Sequence, residues 1–320
     1  MTMSLLACGL SAAPSTDSTA DSGTDDSTAP EDTSETGEEV EEEEILWTKY
    51  KLDEPLTVRG LYSSGSGVYV VTSRGQAFVG SASDPWVAFS LPAEISGLDV
   101  NGLWANGADS TLELAIACDA GYVATYQAGV WTVHYIGSRD NLDIDGSSMS
   151  DLFVVGDNGI HHWDGAGWTY EEAPPVTMNA VYAWGSGAMA VGNEGVAMRR
   201  DADGNWATSD TGKSANLRGV DGSSGSDIWA VGDLGALLHW DGGDWSNPAS
   251  DTSNSLNAVF VDSANSVIAV GNTGTSLKYD GSKWRLRATD TNQNLYAVHG
   301  VSGVNAWGGG DGGVVMQYKE

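Results

Sequence analysis

A repeated pattern of short apolar runs and turns is the feature that most limits what this chain can fold into. Residues 227–245, DIWAVGDLGALLHWDGGDW, contain an apolar run, a turn that ends in Gly, a second apolar run and a second turn before Trp. Six further copies occur, the last incomplete, and their register glycines follow at intervals of 46, 38, 36, 40, 39 and 39 residues. The register glycines are Gly75, Gly121, Gly159, Gly195, Gly235, Gly274 and Gly313. Repeats of this length are typical of solenoids and propellers.

Each copy predicts four short antiparallel strands. The apolar runs 228–231 and 236–238 flank a turn of Asp or Asn, a variable residue and Gly, and these residue types suit hairpin turns. A further run with the pattern Leu-x-Ala/Gly-Val lies upstream, and the Trp downstream opens a fourth. No stretch of residues 45–320 shows a helical period. Four strands per copy without that period predict the blades of a β-propeller.

The number of Trp residues predicts how the ring closes. Six copies carry a fourth-strand Trp: Trp86, Trp131, Trp168, Trp206, Trp245 and Trp284. The seventh copy has no room for one, whereas residues 45–55 contain Trp47 and precede the first blade. We therefore expect the N-terminal strand to complete the last blade and leave no open edge. The predicted fold is all-β, with residues 45–320 forming one seven-bladed β-propeller.

The segment before the predicted propeller has a different composition. Residues 9–44 contain 13 of the 44 acidic residues of the chain and no Lys, Arg or aromatic residue, which predicts a disordered acidic tether. The remaining 31 acidic residues face 14 basic ones, a net charge of −17. This charge argues against nucleic acid and anionic lipid headgroups as partners. Solubility alone explains such a charge, and a cationic partner or calcium is the alternative.

The first eight residues resemble the end of a bacterial lipoprotein signal. Leu5-Leu6-Ala7-Cys8 is similar to a lipobox, and this resemblance implies lipid modification of Cys8. It implies an exported lipoprotein of the outer membrane or cell surface, touching the membrane only through its anchor. Only seven residues precede Cys8 and none is basic, so either translation starts further upstream or the match is coincidental. The other cysteine, Cys118, is expected to be a small core residue.

Three copies carry the sequence W/Y-D-G-x-x-W, at residues 163–168, 240–245 and 279–284. These repeats resemble those of bacterial neuraminidase-type and photosystem-assembly-factor-type propellers. The resemblance covers residues 45–320 and implies a fold rather than a function. It also implies that Asp164, Asp241 and Asp280 brace the last hairpin of their blades through hydrogen bonds to the local backbone.

Catalysis is not expected. Sialidases of this fold need an arginine cluster and an Arg-Ile-Pro signature, but here only Arg199 and Arg200 are adjacent and the signature is absent. A glycosidase needs two facing carboxylates, and no pair stands out from the repeat pattern. His162 and His239 occupy equivalent repeat positions, which favours a structural role. A carbohydrate-active enzyme stays open as the alternative, since 31 acidic residues could include an unmarked pair.

Two short motifs do not support a cofactor. Residues 207–214 match a permissive phosphate-loop pattern but lie in a link between blades, whereas a true phosphate loop joins a strand to a helix. Residues 201–205 have the spacing of a calcium loop but lack the downstream Glu, because position 212 is Gly. No cofactor is expected, with calcium as a weak alternative.

The turn between the second and third strands supplies the best candidate binding surface. Because strand direction alternates, these turns and the links between blades share one face, which we call the rim face. The residues that open the turns, the rim residues, are Asp119, Asp157, Asn193, Asp233, Asn272 and Asp311. They predict either repeated turn chemistry or a polar, acidic rim for a hydroxyl-rich or cationic ligand.

The function expected from the sequence is binding or scaffolding by a monomeric, non-catalytic propeller. Its ligand is an unidentified protein or glycan. Assembly of another envelope complex is a further alternative, because a propeller fold does not by itself imply a function.

Overall fold

The structure is a computed structural model that describes residues 46–157, 159–172, 176–185 and 187–320. These residues form seven four-stranded antiparallel sheets, and in six of them the strands pair in chain order. The first strand of each sheet packs against the first strands of both neighbouring sheets, so that the sheets form a closed ring of blades. The predicted seven-bladed, all-β propeller is confirmed. Cys8 and the predicted segments 1–8 and 9–44 lie outside the described residues.

The strands of blades 1 to 4 follow one another along the chain. They are β2 (Val58–Ser63), β3 (Val68–Thr72), β4 (Gln76–Gly80) and β5 (Val87–Phe89); β6 (Val100–Asn106), β7 (Glu113–Cys118), β8 (Tyr122–Gln127) and β9 (Val130–Tyr135); β10 (Asn141–Ser148), β11 (Asp151–Gly156), β12 (Gly159–Trp163) and β13 (Trp168–Glu172); and β14 (Met178–Trp184), β15 (Gly187–Gly192), β16 (Ala197–Arg200) and β17 (Trp206–Ser209).

Blades 5 to 7 complete the ring, with the N-terminal strand in blade 7. Their strands are β18 (Leu217–Ser224), β19 (Asp227–Gly232), β20 (Leu237–Trp240) and β21 (Trp245–Ser246); β22 (Leu256–Ser263), β23 (Ser266–Gly271), β24 (Ser276–Tyr279) and β25 (Trp284–Leu286); and β26 (Leu295–Ser302), β27 (Asn305–Gly310), β28 (Val314–Lys319) and β1 (Trp47–Lys51). Single 3₁₀ turns span Ala93–Ile95, Asp109–Thr111, Asp119–Gly121, Asn193–Gly195, Asp233–Gly235, Asn272–Gly274 and Asp311–Gly313.

Burial decreases from the second strand of each blade to the fourth. In β19 every residue after Asp227 is buried, because the strand has a neighbouring blade on both of its faces. In β13, on the outside of blade 3, no residue is fully buried. The apolar runs of the repeat are therefore the second strands, and the mixed runs after the Trp are the outer edges.

The hydrophobic core of the described residues lies between the blades. Each of its seven clusters joins residues of two adjacent blades. The fourth-strand Trp of each blade packs into the joint with the preceding blade: Trp86, Trp131, Trp168, Trp206, Trp245, Trp284 and, for blade 7, Trp47. Cys118 is also a core residue, and burial raises the pKa of its thiol to about 12.

The closing strand takes the place predicted for it. β1 pairs with β28, and Trp47 lies opposite Tyr318 with the two rings 5.2 Å apart. Trp47 is 3% exposed, and its indole Nε1–H donates to Ser276 Oγ of blade 6 at 3.2 Å. The N-terminal strand thus both fills the outer position of blade 7 and ties that blade to blade 6.

The predicted bracing of the last hairpin is confirmed. Asp164 Oδ1 accepts the backbone N–H groups of Ala166 and Gly167, both at 2.9 Å. Asp241 and Asp280 accept the corresponding pairs of N–H groups in their own turns. Asp201, which opens the calcium-like sequence, does the same with Asp203 and Asn205. The third turn of these blades is therefore held by one aspartate each.

Candidate functional site

The six rim residues occupy one repeated position on the rim face. Each begins the turn between the second and third strands of its blade. The backbone N–H of each donates to the carbonyl of the residue immediately before the first strand of the same blade, at 2.9 or 3.0 Å. Turns and links therefore meet on one face, as the alternation of strand direction requires.

The side chains of the rim residues accept hydrogen bonds from the protein itself. Thr177 Oγ1 donates to Asp157 at 2.6 Å, and Thr57 Oγ1 donates to Asp311 at 3.0 Å. Asp233 accepts from Arg218 Nε at 2.5 Å, from Asn216 and from Ser255. The rim residues thus act as braces of the turn. A role in binding a ligand stays a prediction.

The ionisation of the rim acids differs between blades. Burial raises the pKa of Asp233, but the hydrogen bond and the charge of Arg218 lower it by more, so that the pKa decreases overall. At Asp119 burial dominates and raises the pKa, although the Asn101 side chain donates to its carboxylate at 2.7 Å. The rim is therefore not a uniform ring of free carboxylates.

A second ring lies closer to the axis of the propeller and surrounds the mouth of the central channel on the rim face. Each blade contributes the second residue of its first strand. We call these side chains the mouth ring: Arg59, Asn101, Leu142, Asn179, Arg218, Asn257 and Tyr296. They surround a cavity of about 260 Å³ that forms the outer part of the channel. None of the seven carries a carboxylate.

The three asparagines of the mouth ring make the same two hydrogen bonds. Asn101 Nδ2 donates to the rim residue Asp119 and to the carbonyl of Asn141 in the next blade, at 2.7 and 2.9 Å. Asn179 and Asn257 donate in the same way to the rim residues and next-blade carbonyls of their own joints. Because both amide hydrogens are used, these side chains are fixed and present their carboxamide oxygens as acceptors.

Two arginines bring guanidinium groups to the mouth ring, and the charge of Arg218 is paired with that of the rim residue Asp233. Arg59 stacks on Tyr296, with its guanidinium carbon 5.0 Å from the ring centroid, and its buried Nε has no hydrogen-bond partner among the described residues. The Arg218 side chain is 45% exposed beside Asp233. Arginine forks recognise carboxylates well, so these groups can bind an anionic or carbonyl-rich ligand.

Three carboxyl groups lie deeper in the channel, on first strands. Asp143, Asp145 and Asp221 accept the backbone N–H groups of Val181, Ala183 and Val261, each on the first strand of the next blade, at 2.9, 2.7 and 2.7 Å. Burial, partly offset by these bonds, raises the pKa of Asp143 and of Asp221 to about 7. The pKa of Asp145 is raised well above its usual value. The three aspartates link blade 3 to blade 4 and blade 5 to blade 6.

Two Ser–Asp–His groups have the composition of a hydrolase triad but a different order of contacts. Asp227 lies between the other two residues: it accepts from Ser223 and lies 2.7 Å from His239 Nε2. In blade 3, Asp151 holds Ser147 and His162 in the same way. A nucleophilic serine needs the histidine, not the aspartate, as its direct partner. The two histidines stack on Trp229 and Phe153, which fits the structural role expected from their equivalent positions.

No three His, Cys, Asp or Glu side chains come together in a way that could hold a metal ion, within the ranges given above. The helices in the same part of the chain are too short to cross a bilayer.

Sequence reasoning did not identify the mouth ring. Its members stand at the variable position of the Leu-x-Ala/Gly-Val pattern, for example Arg218 in Leu-Arg-Gly-Val. The available signal was that this position is polar or aromatic in six blades although it lies between apolar residues. The repeat is defined by the positions that stay the same, whereas the channel mouth is built from the position that varies.

The comparisons with known proteins agree with the fold. The chain is similar to a solved YCF48 bound to a D1 peptide, with a TM-score of 0.70, 14% identity, and coverage of 86% of this chain and 97% of that one. It is similar to YCF48 from Cyanidioschyzon merolae, with a TM-score of 0.68, 12% identity and coverage of 86% and 98%. The RRP9 WD40 repeats give a TM-score of 0.73, 9% identity and coverage of 85% and 97%.

No protein-family model and no curated protein sequence matches the chain. At these low identities the structural matches show the fold alone. The resemblance to assembly-factor-type propellers is therefore confirmed as a shared seven-bladed architecture.

Proposed function

We propose that this propeller is a non-catalytic binding module that holds a peptide or protein segment over the mouth of its channel on the rim face. The observation that carries this proposal is the mouth ring. It places two guanidinium groups, three fixed carboxamides and an aromatic ring around one opening, with no carboxylate among them. In a domain of net charge −17, this opening is suited to acidic or carbonyl-rich segments.

An exposed leucine on the same face supports a protein partner. Leu234 is at the tip of the blade 5 turn, 79% exposed and with a φ of 58°. It follows the rim residue Asp233, whose carboxylate bonds to Arg218 of the mouth ring. A large apolar side chain held outward at positive φ is an unfavourable choice for stability alone. It provides an anchor beside the charged opening.

The structural neighbours support the same class of function. One of them, YCF48, was solved bound to a D1 peptide. A rigid ring that carries its binding groups on loops and strand ends suits peptide recognition without chemistry. Both a scaffold and an assembly factor are compatible with such a site.

Photo-crosslinking tests this proposal directly. A photoreactive residue at position 234 is expected to form an adduct with a discrete protein in cell extract, and one at Tyr170 is not. Tyr170 is the control because it is 55% exposed but lies on the outer strand of blade 3. In a pull-down from the same extract, in which position 234 carries no photoreactive residue, the variant Leu234→Gly with Arg218→Gln should capture about tenfold less of this protein than the wild type, with an unchanged melting temperature.

The same assay separates the mouth ring from the rim. Asp157→Ala combined with Asp233→Ala should weaken capture at unchanged melting temperature if the rim residues bind the partner. A large loss of thermal stability would instead identify them as turn braces only. Adducts formed equally from positions 234 and 170, or capture insensitive to Leu234→Gly with Arg218→Gln, would contradict binding at the mouth.

For localisation we propose an exported lipoprotein at the outer membrane or cell surface, anchored through Cys8. The support is the sequence Leu5-Leu6-Ala7-Cys8 followed by the acidic segment 9–44. When the protein is expressed from its native locus, we expect fatty-acid label on the wild type and release from membranes in Cys8→Ser. Cys118→Ser is the matched control and should keep the label, because Cys118 is buried in the propeller core. Unlabelled wild-type protein in the cytosol would refute the anchor.

A further inference from the structure

Four side chains, one from each strand, form a row across every blade and face the next blade. In blade 3 the row is Asp145, Phe153, His162 and Thr169, as the strand registers show. The aromatic member packs against the fourth-strand Trp of the next blade, with Phe153 and Trp206 6.2 Å apart. Blades 5 and 7 repeat this arrangement with Trp229 against Trp284 and Trp307 against Trp86.

Blade 2 departs from this arrangement in the two middle positions of its row. Its row is Trp104, Ala115, Thr125 and Thr132, so that an alanine and a threonine stand where blade 3 has Phe153 and His162. Trp104 fills only the inner end of the joint, where its indole N–H donates to Gly146 of blade 3 at 2.7 Å.

The outer part of the joint between blades 2 and 3 is consequently open. It forms a cleft of about 490 Å³. The equivalent cleft between blades 7 and 1, where Trp307 is present, measures about 240 Å³. A volume of 490 Å³ lies within the range of small-molecule sites.

One wall of the cleft is aromatic. Trp163 lines it from blade 3, and His134 faces it from blade 2 with the two rings 5.1 Å apart. Trp163 also packs on Trp168 at 5.6 Å, which holds its orientation. Burial lowers the pKa of His134, so the imidazole is neutral near pH 7.

The polar groups that line the rest of the cleft are hydroxyls, an amide and one carboxylate, and Val130 and Met149 add apolar surface. Gln127 Nε2 donates to Glu113 Oε1 at 2.6 Å, which fixes the two groups beside the opening. Thr125 Oγ1 lies 3.5 Å from His134 Nε2, and Ser148 and Ser150 are joined by a 3.1 Å hydrogen bond on the facing wall. Each of these groups can both donate and accept, except the carboxylate, which accepts only.

We propose that this cleft between blades 2 and 3 is a binding site for one or two rings of a neutral saccharide. The π-face of Trp163 suits the C–H groups on the apolar face of a pyranose ring, and the surrounding hydroxyl, amide and carboxylate groups match its hydroxyls. Glu113 disfavours acidic sugars in the same position. This site is separate from the mouth ring, and it does not depend on the function proposed there.

The site binds without hydrolysing. Among the described residues that line the cleft, only Glu113 carries a carboxyl group. Hydrolysis by a retaining or an inverting mechanism needs two.

The full-length protein should be tested on an array of neutral hexose and N-acetylhexosamine oligosaccharides, with uronic-acid oligosaccharides as charged controls. We expect binding to neutral members, confirmed by calorimetry and by quenching of tryptophan fluorescence, without release of reducing ends. Thr125→His installs the residue found in blades 3 and 5, next to Glu113. It should fill the cleft and reduce saccharide affinity about tenfold or more, while the melting temperature stays the same or rises.

Val79→His is the matched control, because Val79 holds the same row position in blade 1 and should leave binding unchanged. Trp163→Ala should also abolish binding, but Thr125→His keeps the test informative if that variant is unstable. No binding to any neutral oligosaccharide would overturn the proposal. So would binding that survives in Thr125→His, or a preference of the cleft for aromatic peptides over saccharides.

Discussion

At the scale of single residues, the repeat is held together by polar side chains that reach the next blade or the nearby backbone. The mouth-ring asparagines each donate to a turn and to the next first strand, and the channel aspartates accept N–H groups of the next first strand. Gly235 is required at its turn for two reasons: its φ is 71°, and a β-carbon there would overlap the carbonyl oxygen of Thr252 in the link to blade 6. The regular spacing of this glycine in the repeat therefore reflects a contact with the link between blades.

The channel aspartates make stability depend on pH in a definite direction. The pKa of Asp221 is about 7 in the folded protein and that of an unfolded Asp is near 3.8, so the folded state holds a proton that the unfolded chain has lost. Stability contributed by this group is therefore greatest below about pH 4 and falls as the pH rises towards 7. The loss amounts to at most about 4 kcal/mol for one such group.

The variant Asp221→Asn tests this direction through the pH dependence of the free energy of unfolding. The substitution removes one acceptor at every pH, because Asp221 receives N–H groups from both Gly222 and Val261. The stability difference from wild type should nevertheless shift in favour of the variant from about pH 5 to about pH 8, as measured by urea unfolding. Histidine contributions are common to both proteins and cancel in this difference.

Asp164→Asn is the matched control, because Asp164 is an exposed turn residue whose pKa is lowered by two backbone N–H groups. Its effect should vary with pH only below about pH 4. A difference for Asp221→Asn that is equally flat from pH 5 to pH 8 would show that the Asp221 carboxyl is ionised throughout this range.

At the scale of elements, the strand β1 decides whether the ring is closed. It covers β28, which would otherwise be a free edge, and it supplies Trp47 to the joint between blades 6 and 7. This element could be predicted because the last copy of the repeat lacks a fourth strand and its Trp. A strand that contains a Trp precedes the first blade and belongs to no other blade. The bracing by Asp164 could likewise be predicted, since it depends only on residues within its own turn.

Removal of this strand should be far more damaging than removal of what precedes it. Trp47→Ala should destabilise the protein by about 3–5 kcal/mol, the usual range for a buried large aromatic. Deletion of residues 1–55 should give aggregated or poorly folded protein, whereas deletion of 1–40 should change the melting temperature little, because its composition predicts no buried surface.

Thermal melts of the three variants decide the point. Equal melting temperatures for the two deletions would mean that β1 is dispensable for closure. Trp245→Ala provides a comparison, because Trp245 holds the same place in the joint between blades 4 and 5.

At the scale of the whole molecule, seven similar blades produce joints that differ. The architecture follows from the period of the repeat, and for that reason it could be predicted. The mouth ring and the cleft between blades 2 and 3 could not, because both depend on how side chains from two blades combine. Thr125 and Thr132 are ordinary strand residues in the sequence, and they line an opening only opposite Trp163. The fold follows from the sequence features that all blades share, whereas the candidate sites follow from positions at which one blade differs from the others.

The pairing of β1 with β28 also has a mechanical consequence. Leu46 accepts a hydrogen bond from the backbone of Lys319 at 3.0 Å, so both ends of the described chain leave from the same blade. A pull on residue 46 directed along β1 loads all five paired residues, Trp47 to Lys51, in shear rather than one after another. Such a pull acts directly on the contact that keeps the ring closed. The strength of this single strand under tension therefore sets the force that the whole propeller withstands when it is held from its N-terminal side.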